Sequence, residues 1–501
     1  MEEFDVIIVG TGISGIGGAC HLKREAPERS FVILEGRERL GGTWDLFKYP
    51  GIRSDSDMHT LGFNFKPWTH EKSIADAPAI LDYLHETVDE YALKPHLRFE
   101  HRVNTIAWDS AAARWTVNVT TPAGTQQMRC RFLFMGTGYY SYSDPYQPAF
   151  AGREMFKGLV FHPQFWPDDL DFQGKRVIVI GSGATAVTIV PAMVAEGAGH
   201  VTMLQRSPTW FVTRAAKDKF ANTLRKFLPE KIAYGITRFK NINMQTYFYN
   251  LTQRKPEKVR DKLLELTTKE LPEGYDVETH FTPRYKPWEQ RLCLVPDADF
   301  FQAIKTGKAE VVTDHIERFD ETGIVLKSGT HLDADIIVSA TGLNMEIMSG
   351  VRIFVDGEET RVNEHFSYKG CMYSDIPNLA SSFGYSNASW TLKADLIAQY
   401  MGRLLNHMKA TRTDVAVPEP HGVQAHSEGM MNLSSGYVER GKNKVPMQGD
   451  IDPWKIHHNY PADKKLMRTG KLEDGAMHFY KAGEYRAKQD EDAPELAVAA
   501  E

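Results

Sequence analysis

The sequence predicts an α/β fold built on two Rossmann-like dinucleotide-binding domains, with a helical insertion in the second. Three observations predict it. An apolar run ending in a glycine-rich loop occurs twice, at Gly10-Thr11-Gly12-Ile13-Ser14-Gly15 and at Gly181-Ser182-Gly183-Ala184-Thr185-Ala186. Each loop leads through a helical stretch into a second apolar run. A Thr-Gly pair closes a strand-like run in each half, at Thr137-Gly138 and Thr341-Gly342.

The first unit begins with a buried parallel strand over 6–9, a short apolar run ending in a glycine turn. A helix is expected over about 12–24, then a strand over 31–34 closed by Glu35, twenty residues beyond Gly15. Gly10, Gly12, Ser14 and Gly15 would hold a pyrophosphate on the helix N-terminus, and Glu35 would bind a ribose hydroxyl. An acid there suits an unphosphorylated ribose, as in FAD or NAD. The stretch from Gly41 to Asp55 follows, with glycines and a proline around Trp44 and Tyr49. Little of it alternates like a strand, so it reads as an ordered loop folded over a ligand, or as a loop that closes the domain. Trp115, Val117 and Val119 alternate as a half-buried strand, and another runs over 131–135 to the first Thr-Gly pair.

The segment from Phe156 to Pro167 lies between the two glycine loops. Read alone, it is a linker whose Phe156, Phe161, Phe165 and Trp166 are buried anchors. The second unit follows, with strands over 177–180 and 201–204. Gly181, Ser182, Gly183, Ala184, Thr185 and Ala186 form its phosphate loop, and Gln205 and Arg206 stand where the acid would be. A guanidinium matches a 2′-phosphate in bidentate fashion, so this unit should prefer NADPH; a solvated loop cation is the alternative. Residues 214–280 turn helical. Phe220, Leu224, Phe227 and Leu228 keep helical spacing, and Pro256 opens a helix that Leu271-Pro272-Glu273-Gly274 stops. Their apolar stripe is expected to join the core. Sheet returns over 311–312, 324–326 and 336–338. An amphipathic helix starts near Leu392. The chain beyond 488 reads as a loose tail.

Composition bounds the function. Hydrophobic residues at 42% and charged residues at 25% describe an ordinary globular protein, and 501 residues call for two or three domains. A net charge of −6 with no long basic run carries no nucleic-acid footprint. The N-terminus enters its first strand without the flanks of a signal peptide. No run approaches the roughly 18 apolar residues of a spanning helix, which leaves peripheral contact as the one membrane role. Cys20, Cys130, Cys293 and Cys371 are scattered without metal or redox spacing, so no metal site is expected and reduced, cytoplasmic thiols are.

The spacing Phe156-x-Gly158-x-x-x-His162-x-x-x-Trp166-Pro167 resembles the fingerprint of type I Baeyer–Villiger monooxygenases. Gly41-Gly42-x-Trp44, followed by Tyr49-Pro50-Gly51 and Asp55, resembles a second motif of that family. The likeness extends through Gln290-Arg291-Leu292-Cys293 and Asn387-Ala388-Ser389-Trp390, and it is closest to the mycobacterial ethionamide-activating monooxygenases. It implies a flavoprotein with two dinucleotide-binding domains, with FAD bound, NADPH as hydride donor and O2 as oxidant. It implies Thr43, Trp44, Asp45 and Leu46 at the flavin, Arg53 and Ser54 beside the cofactor, and Val103 at the FAD adenine, where a plain strand residue is the equal alternative. Arg291 matches the catalytic arginine and Asp55 its partner. Many relatives carry Lys where this chain has Gln290. His162 is expected to couple domains by hydrogen bonds and not to act as a base.

The implied domains are an FAD-binding part over 1–142 and 341–488, a linker over 143–170, and an NADP-binding part over 171–213 and 281–340. The insertion spans 214–280 and the tail 489–501. The implied reaction turns ketones into esters or lactones through a C4a-peroxyflavin and extends to sulfides or thioamides. Arg291 would serve the anions of that path, where one oriented donor is commonly worth about 3–4 kcal/mol. The alternatives are an N- or S-hydroxylating flavin monooxygenase, whose fingerprint lacks the terminal Trp-Pro, and a non-catalytic dinucleotide-binding redox sensor.

Overall fold

Two parallel β-α-β units set the frame of the computed structural model, which describes residues 1–426, 430–431, 433–485 and 487–488. The expected tail lies outside the described residues.

The first unit forms as strand Glu2–Val9, helix Ile13–Glu25 and strand Phe31–Leu34, with Val6 to Val9 in parallel register beside Phe31 to Leu34. All of Phe31–Leu34 is buried, which explains an apolar run without alternation. On its other side Glu2–Val9 pairs in parallel with Gly124–Met135. The sheet continues antiparallel through Arg114–Thr121 and Arg102–Asp109, where Trp115, Val117 and Val119 are buried every second residue. Arg352–Val355 joins in parallel beside Arg102–Asp109, and Leu379–Ser381 beside Gly124–Met135. Late chain thus completes this nine-stranded sheet.

The second sheet has five parallel strands in the order Ala309–Thr313, His200–Gln205, Arg176–Ile180, Ile336–Ser339 and Leu159–Phe161. Its edge strand Leu159–Phe161 lies inside the aromatic segment between the loops. Helix Ala184–Ala195 follows the second glycine loop. Helix Trp390–Thr411 starts two residues before its expected position and reaches the first helix through His21 Nε2 and Asp395 Oδ1, 3.1 Å apart and buried.

The insertion is helical as expected: Lys219–Phe227, Glu230–Arg254, Pro256–Glu270 and Val277–Phe281. Its apolar stripe joins the core only in part: Val259 and Leu263 of Pro256–Glu270 are buried against Trp210, whereas Lys219–Phe227 leaves its aromatics outside. Phe220 is 43% exposed and Phe227 79%. Helix Glu230–Arg254 instead buries Tyr234, Thr237, Arg238 and Asn241. The reason is local. Arg238 donates to the carbonyls of His59 and Gly62 at 2.9 and 2.7 Å, and Asn241 Nδ2 to Asp57 Oδ1 at 2.8 Å, so this helix docks through hydrogen bonds. Among the described residues no helix is long and apolar enough to cross a membrane.

Candidate active site

The first loop is shaped by close backbone approaches. Gly10 has φ +100°, and a Cβ there would stand 2.7 Å from the Gly136 carbonyl oxygen. A Cβ on Gly15 would stand 1.9 Å from the Gly10 carbonyl oxygen. Helix Ile13–Glu25 begins at Gly12 with no side-chain cap, so its first N–H groups are left to a ligand, as an anion cradle requires. Glu35 is buried beside it. Its carboxylate accepts from the Thr11 N–H at 2.9 Å, the Thr11 hydroxyl at 2.6 Å and the Arg37 N–H at 3.0 Å. One acceptor site, on Oε1, remains for a sugar hydroxyl. The cradle and the carboxylate fit a dinucleotide.

The Gly41–Asp55 loop runs from this cradle to the second domain. Thr43–Leu46 makes one helical turn, whose Trp44 packs on the core and whose Asp45 is held by Arg37 at 2.6 Å and Arg39 at 3.2 Å. Gly51 then lies on helix Ala184–Ala195, where a Cβ would meet Ala192 Cβ at 2.7 Å. Burial pushes the Tyr49 phenol up to about 12, against its hydrogen bond with Thr185 of the second loop. The next three residues diverge. Arg53 forks onto Asp299, Ser54 Oγ donates to the Ser56 carbonyl at 2.8 Å, and Asp55 accepts from Arg291. Arg53 and Ser54 thereby fix where Asp55 stands. Val103 is a buried residue of strand Arg102–Asp109 and packs with Val32 and Leu34 in one core cluster.

Arg291 Nη1 donates to Asp55 Oδ2 at 3.2 Å. The two side chains are 36% and 43% exposed, so the pair faces an opening and is not sealed in protein. Yet Arg291 Nε is buried and has no protein partner, a donor left over for an acceptor in the site. The neighbours of Arg291 hold it in place. Trp288 is edged by Phe248 and Tyr249, and Leu292 packs against the Trp210, Val259 and Leu263 cluster.

Sequence reasoning missed the rest of this centre. The phenols of Tyr139, Tyr437 and Tyr140 lie within the field of Arg291, and the hydroxyls of Tyr139 and Tyr140 are 2.5 Å apart. Tyr139 stacks on Trp390 at 5.2 Å, and Trp390 Nε1 donates to Ser14 Oγ at 2.8 Å. A ring stack and a hydrogen bond thus join Tyr139, which lies in the field of Arg291, to the first glycine loop. The available signal was the Tyr139-Tyr140 pair directly after Thr137-Gly138.

In the second loop, Gly181 has φ +133°, and a Cβ would stand 2.4 Å from the Ala340 carbonyl oxygen. A Cβ on Gly183, the uncapped N-terminus of Ala184–Ala195, would meet nothing within 4 Å. That edge of the cradle is open. Ser182 Oγ donates to the Ser207 carbonyl at 3.0 Å, Ala184 and Thr185 open the helix, and Ala186 is buried where the first loop has Gly15. Gln205 Nε2 is committed to the His280 carbonyl and Thr313 Oγ1, both at 2.8 Å. Arg206 is exposed at the strand end and, among the described residues, has no ion-pair partner.

The fingerprint ties these parts together. The chain crosses between the sheets at Thr137-Gly138 and Thr341-Gly342, and the following strands, Tyr140–Pro145 and Leu343–Met345, pair with each other. His162 Nε2–H donates to the Gly342 carbonyl at 3.0 Å, while Nδ1 accepts the Gln164 N–H at 3.1 Å. Gln164 Nε2 donates to the Ser141 carbonyl at 3.0 Å. One short segment therefore grips both crossings. Phe156 and Phe161 are buried anchors, but Phe165 is 50% exposed.

Burial pushes the His162 imidazole down from 6.5 to about 4, against the bond to Gly342. The ring is neutral at neutral pH, with both nitrogens engaged, so His162→Ala should impair the enzyme without removing an ionisation from the pH–rate profile. The stability sign follows from the lowered folded value. Stability is fully present above the unfolded value near 6.5 and is lost as pH falls towards 4, by an amount on the order of 3 kcal/mol. The variant escapes that loss, so its melting temperature should approach the wild type's on acidification. A gap that widens at low pH would contradict this protonation state.

Comparison with known proteins adds the family. The flavin-binding monooxygenase-like model matches residues 65–349, and an NAD(P)-binding Rossmann-like domain matches 8–73. The chain is 49% identical over 480 residues to the FAD-containing monooxygenase EthA of Mycobacterium tuberculosis, covering 96% of this chain and 98% of that protein. It is 48% identical over 482 residues to the probable FAD-binding monooxygenase AlmA of Acinetobacter baylyi, covering 96% and 97%. In fold it is similar to a steroid monooxygenase bound to NADP, with TM-score 0.77, 23% identity, and coverage of 96% of this chain and 100% of that one. A closed cyclohexanone monooxygenase matches with TM-score 0.75, 17% identity and the same coverage.

Proposed function

The chain belongs to the flavin-binding monooxygenase-like family, and on that premise we propose that it is an FAD-containing, NADPH- and O2-dependent Baeyer–Villiger monooxygenase. Its substrates are ketones, converted to esters or lactones, and sulfur compounds such as sulfides or thioamides. The observation that carries this reading is the Arg291–Asp55 pair, set in the field of Tyr139, whose ring stacks on the Trp390 that bonds Ser14 of the first loop, while Tyr49 bonds Thr185 of the second.

FAD would lie along the first cradle, held by Gly10–Gly15 at its pyrophosphate, by Glu35 at a ribose and by Thr43–Leu46 at its ring. NADPH would lie along the second, with Arg206 holding its 2′-phosphate. Flavin reduced by NADPH supplies the activated oxygen. The chain's own residues meet the charge. A ketone attacked at its carbonyl carbon gathers negative charge on oxygen, and Arg291 is a fixed cation that does not deprotonate. Asp55 orients it by one hydrogen bond and leaves Nε free to point elsewhere. The Tyr49–Gly51 turn, seated on Ala184–Ala195, closes one side against water. The four buried, unpaired thiols suit a reducing cytoplasm.

Purified holoenzyme should oxidise NADPH faster when a ketone is added and yield one ester for each NADPH. Coupling to a sulfide or amine but to no ketone would place it among the N- or S-hydroxylating enzymes. No turnover under any of these conditions would leave a dinucleotide-binding sensor.

A further inference from the structure

Helix Glu230–Arg254 is inside out. Its buried face carries Arg238, Asn241 and two threonines beside Ala233 and Tyr234, whereas Ile232, Ile236, Phe239 and Tyr247, spaced to lie along one face, are 53%, 41%, 72% and 68% exposed. Phe227, at the end of the preceding helix, is 79% exposed. Single exposed apolar residues need no explanation, but a run of large ones along two consecutive helices marks a contact surface.

The charge around it identifies the partner. Residues 217–255 hold nine Lys or Arg and two acidic residues, a net +7 in a chain whose net charge is −6. Some of these cations are spent within the protein: Lys217 pairs with Glu71, Lys240 with Asp218 and Arg238 with Asp395. Lys219, Lys226, Lys231, Arg254 and Lys255 are exposed and, among the described residues, make no ion pair. A second copy docked face to face would set these cations against their own kind. Large apolar side chains interleaved with lysines are instead what an anionic bilayer interface accepts, with the rings below the headgroups and the ammonium groups among them.

We propose that the exposed face of Lys219–Phe227 and Glu230–Arg254 seats this protein on an anionic membrane surface as a peripheral protein. The same long helix carries Phe248 and Tyr249, whose rings edge Trp288, three residues before Arg291. The seated helix is therefore continuous with the wall of the candidate active site, so that an apolar substrate dissolved in the bilayer is presented beside the site. This last clause rests on the proposed function; the docking itself does not.

Flotation of the holoenzyme with lipid vesicles tests it. Vesicles of phosphatidylcholine mixed with phosphatidylglycerol should carry the protein at least about tenfold better than phosphatidylcholine alone. Raising NaCl from about 0.1 M to 1 M, which shortens the Debye length from about 10 to 3 Å, should release most of it. Phe227→Ser with Phe239→Ser should abolish flotation, and so should Lys226→Glu with Lys231→Glu. Both should keep the wild-type melting temperature and vesicle-free NADPH oxidation. Failure to float with either lipid, flotation indifferent to charge, or a dimer in vesicle-free solution that the serine variant dissociates would each overturn the proposal. Flotation without ketone turnover would sink the proposed function alone.

Discussion

Arg291→Ala is expected to keep its FAD and to lose ketone oxygenation by at least about 10²-fold. FAD retention follows from geometry. The first cradle is made by backbone of the Gly10–Gly15 loop and by Glu35, which is held by Thr11 and Arg37, and Arg291 is part of neither. The loss follows from charge. The guanidinium is held by Asp55 at 3.2 Å and by the packing of Trp288 and Leu292, so it is oriented before the substrate oxygen becomes negative. Arg291→Lys should recover only part of the rate, since an ammonium on a flexible stem cannot both hold Asp55 and present a second, fixed N–H. Flavin absorbance, anaerobic flavin reduction by NADPH and ester yield separate these effects. Wild-type ester yield from Arg291→Ala would remove the residue from the site.

Gly15→Ala should empty the first cradle. The added Cβ would stand 1.9 Å from the Gly10 carbonyl oxygen and 2.9 Å from its carbon, and both are backbone atoms that no rotamer can move. Helix Ile13–Glu25 must then lift from strand Glu2–Val9, which costs more than the roughly 1–3 kcal/mol of ordinary overpacking. Flavin content per protein should fall at least about tenfold. Gly183→Ala is the control in the second loop, with φ −78° and nothing within 4 Å of the new Cβ, so it should keep its flavin. Equal flavin content in the two variants would show that the loop adapts.

The contrast between these glycines shows what the sequence could reveal. Both loops, the acid at Glu35 and the paired Thr-Gly crossings were legible because each is a local pattern within one β-α-β unit. The Arg291–Asp55 pair was legible through family motifs, although 236 residues separate the two. The Ser14–Trp390 bond and the Tyr139–Trp390 stack were not, since nothing near Ser14 announces a partner 376 residues away. Helical spacing showed that 214–280 is helical and placed Val259 and Leu263 in the core, but not which face of Lys219–Phe227 or Glu230–Arg254 is buried. Periodicity counts apolar residues, whereas helix Glu230–Arg254 is positioned by Arg238 and Asn241 bonding to buried acceptors around Asp57, His59 and Gly62. Gln205 likewise looked like a ligand residue from its place after a strand, but its side-chain amide donates to Thr313 and His280.

The central claim is that the charge held at Arg291 serves insertion of an oxygen atom from O2 beside a ketone carbonyl. Mass spectrometry of the product formed under O2 enriched in heavy oxygen tests it most directly. One heavy atom should enter the bridging position of each ester in step with NADPH oxidised, and Arg291→Ala should reduce that labelled ester. Unlabelled product, or NADPH oxidation that ends entirely in hydrogen peroxide whatever ketone is supplied, would contradict it.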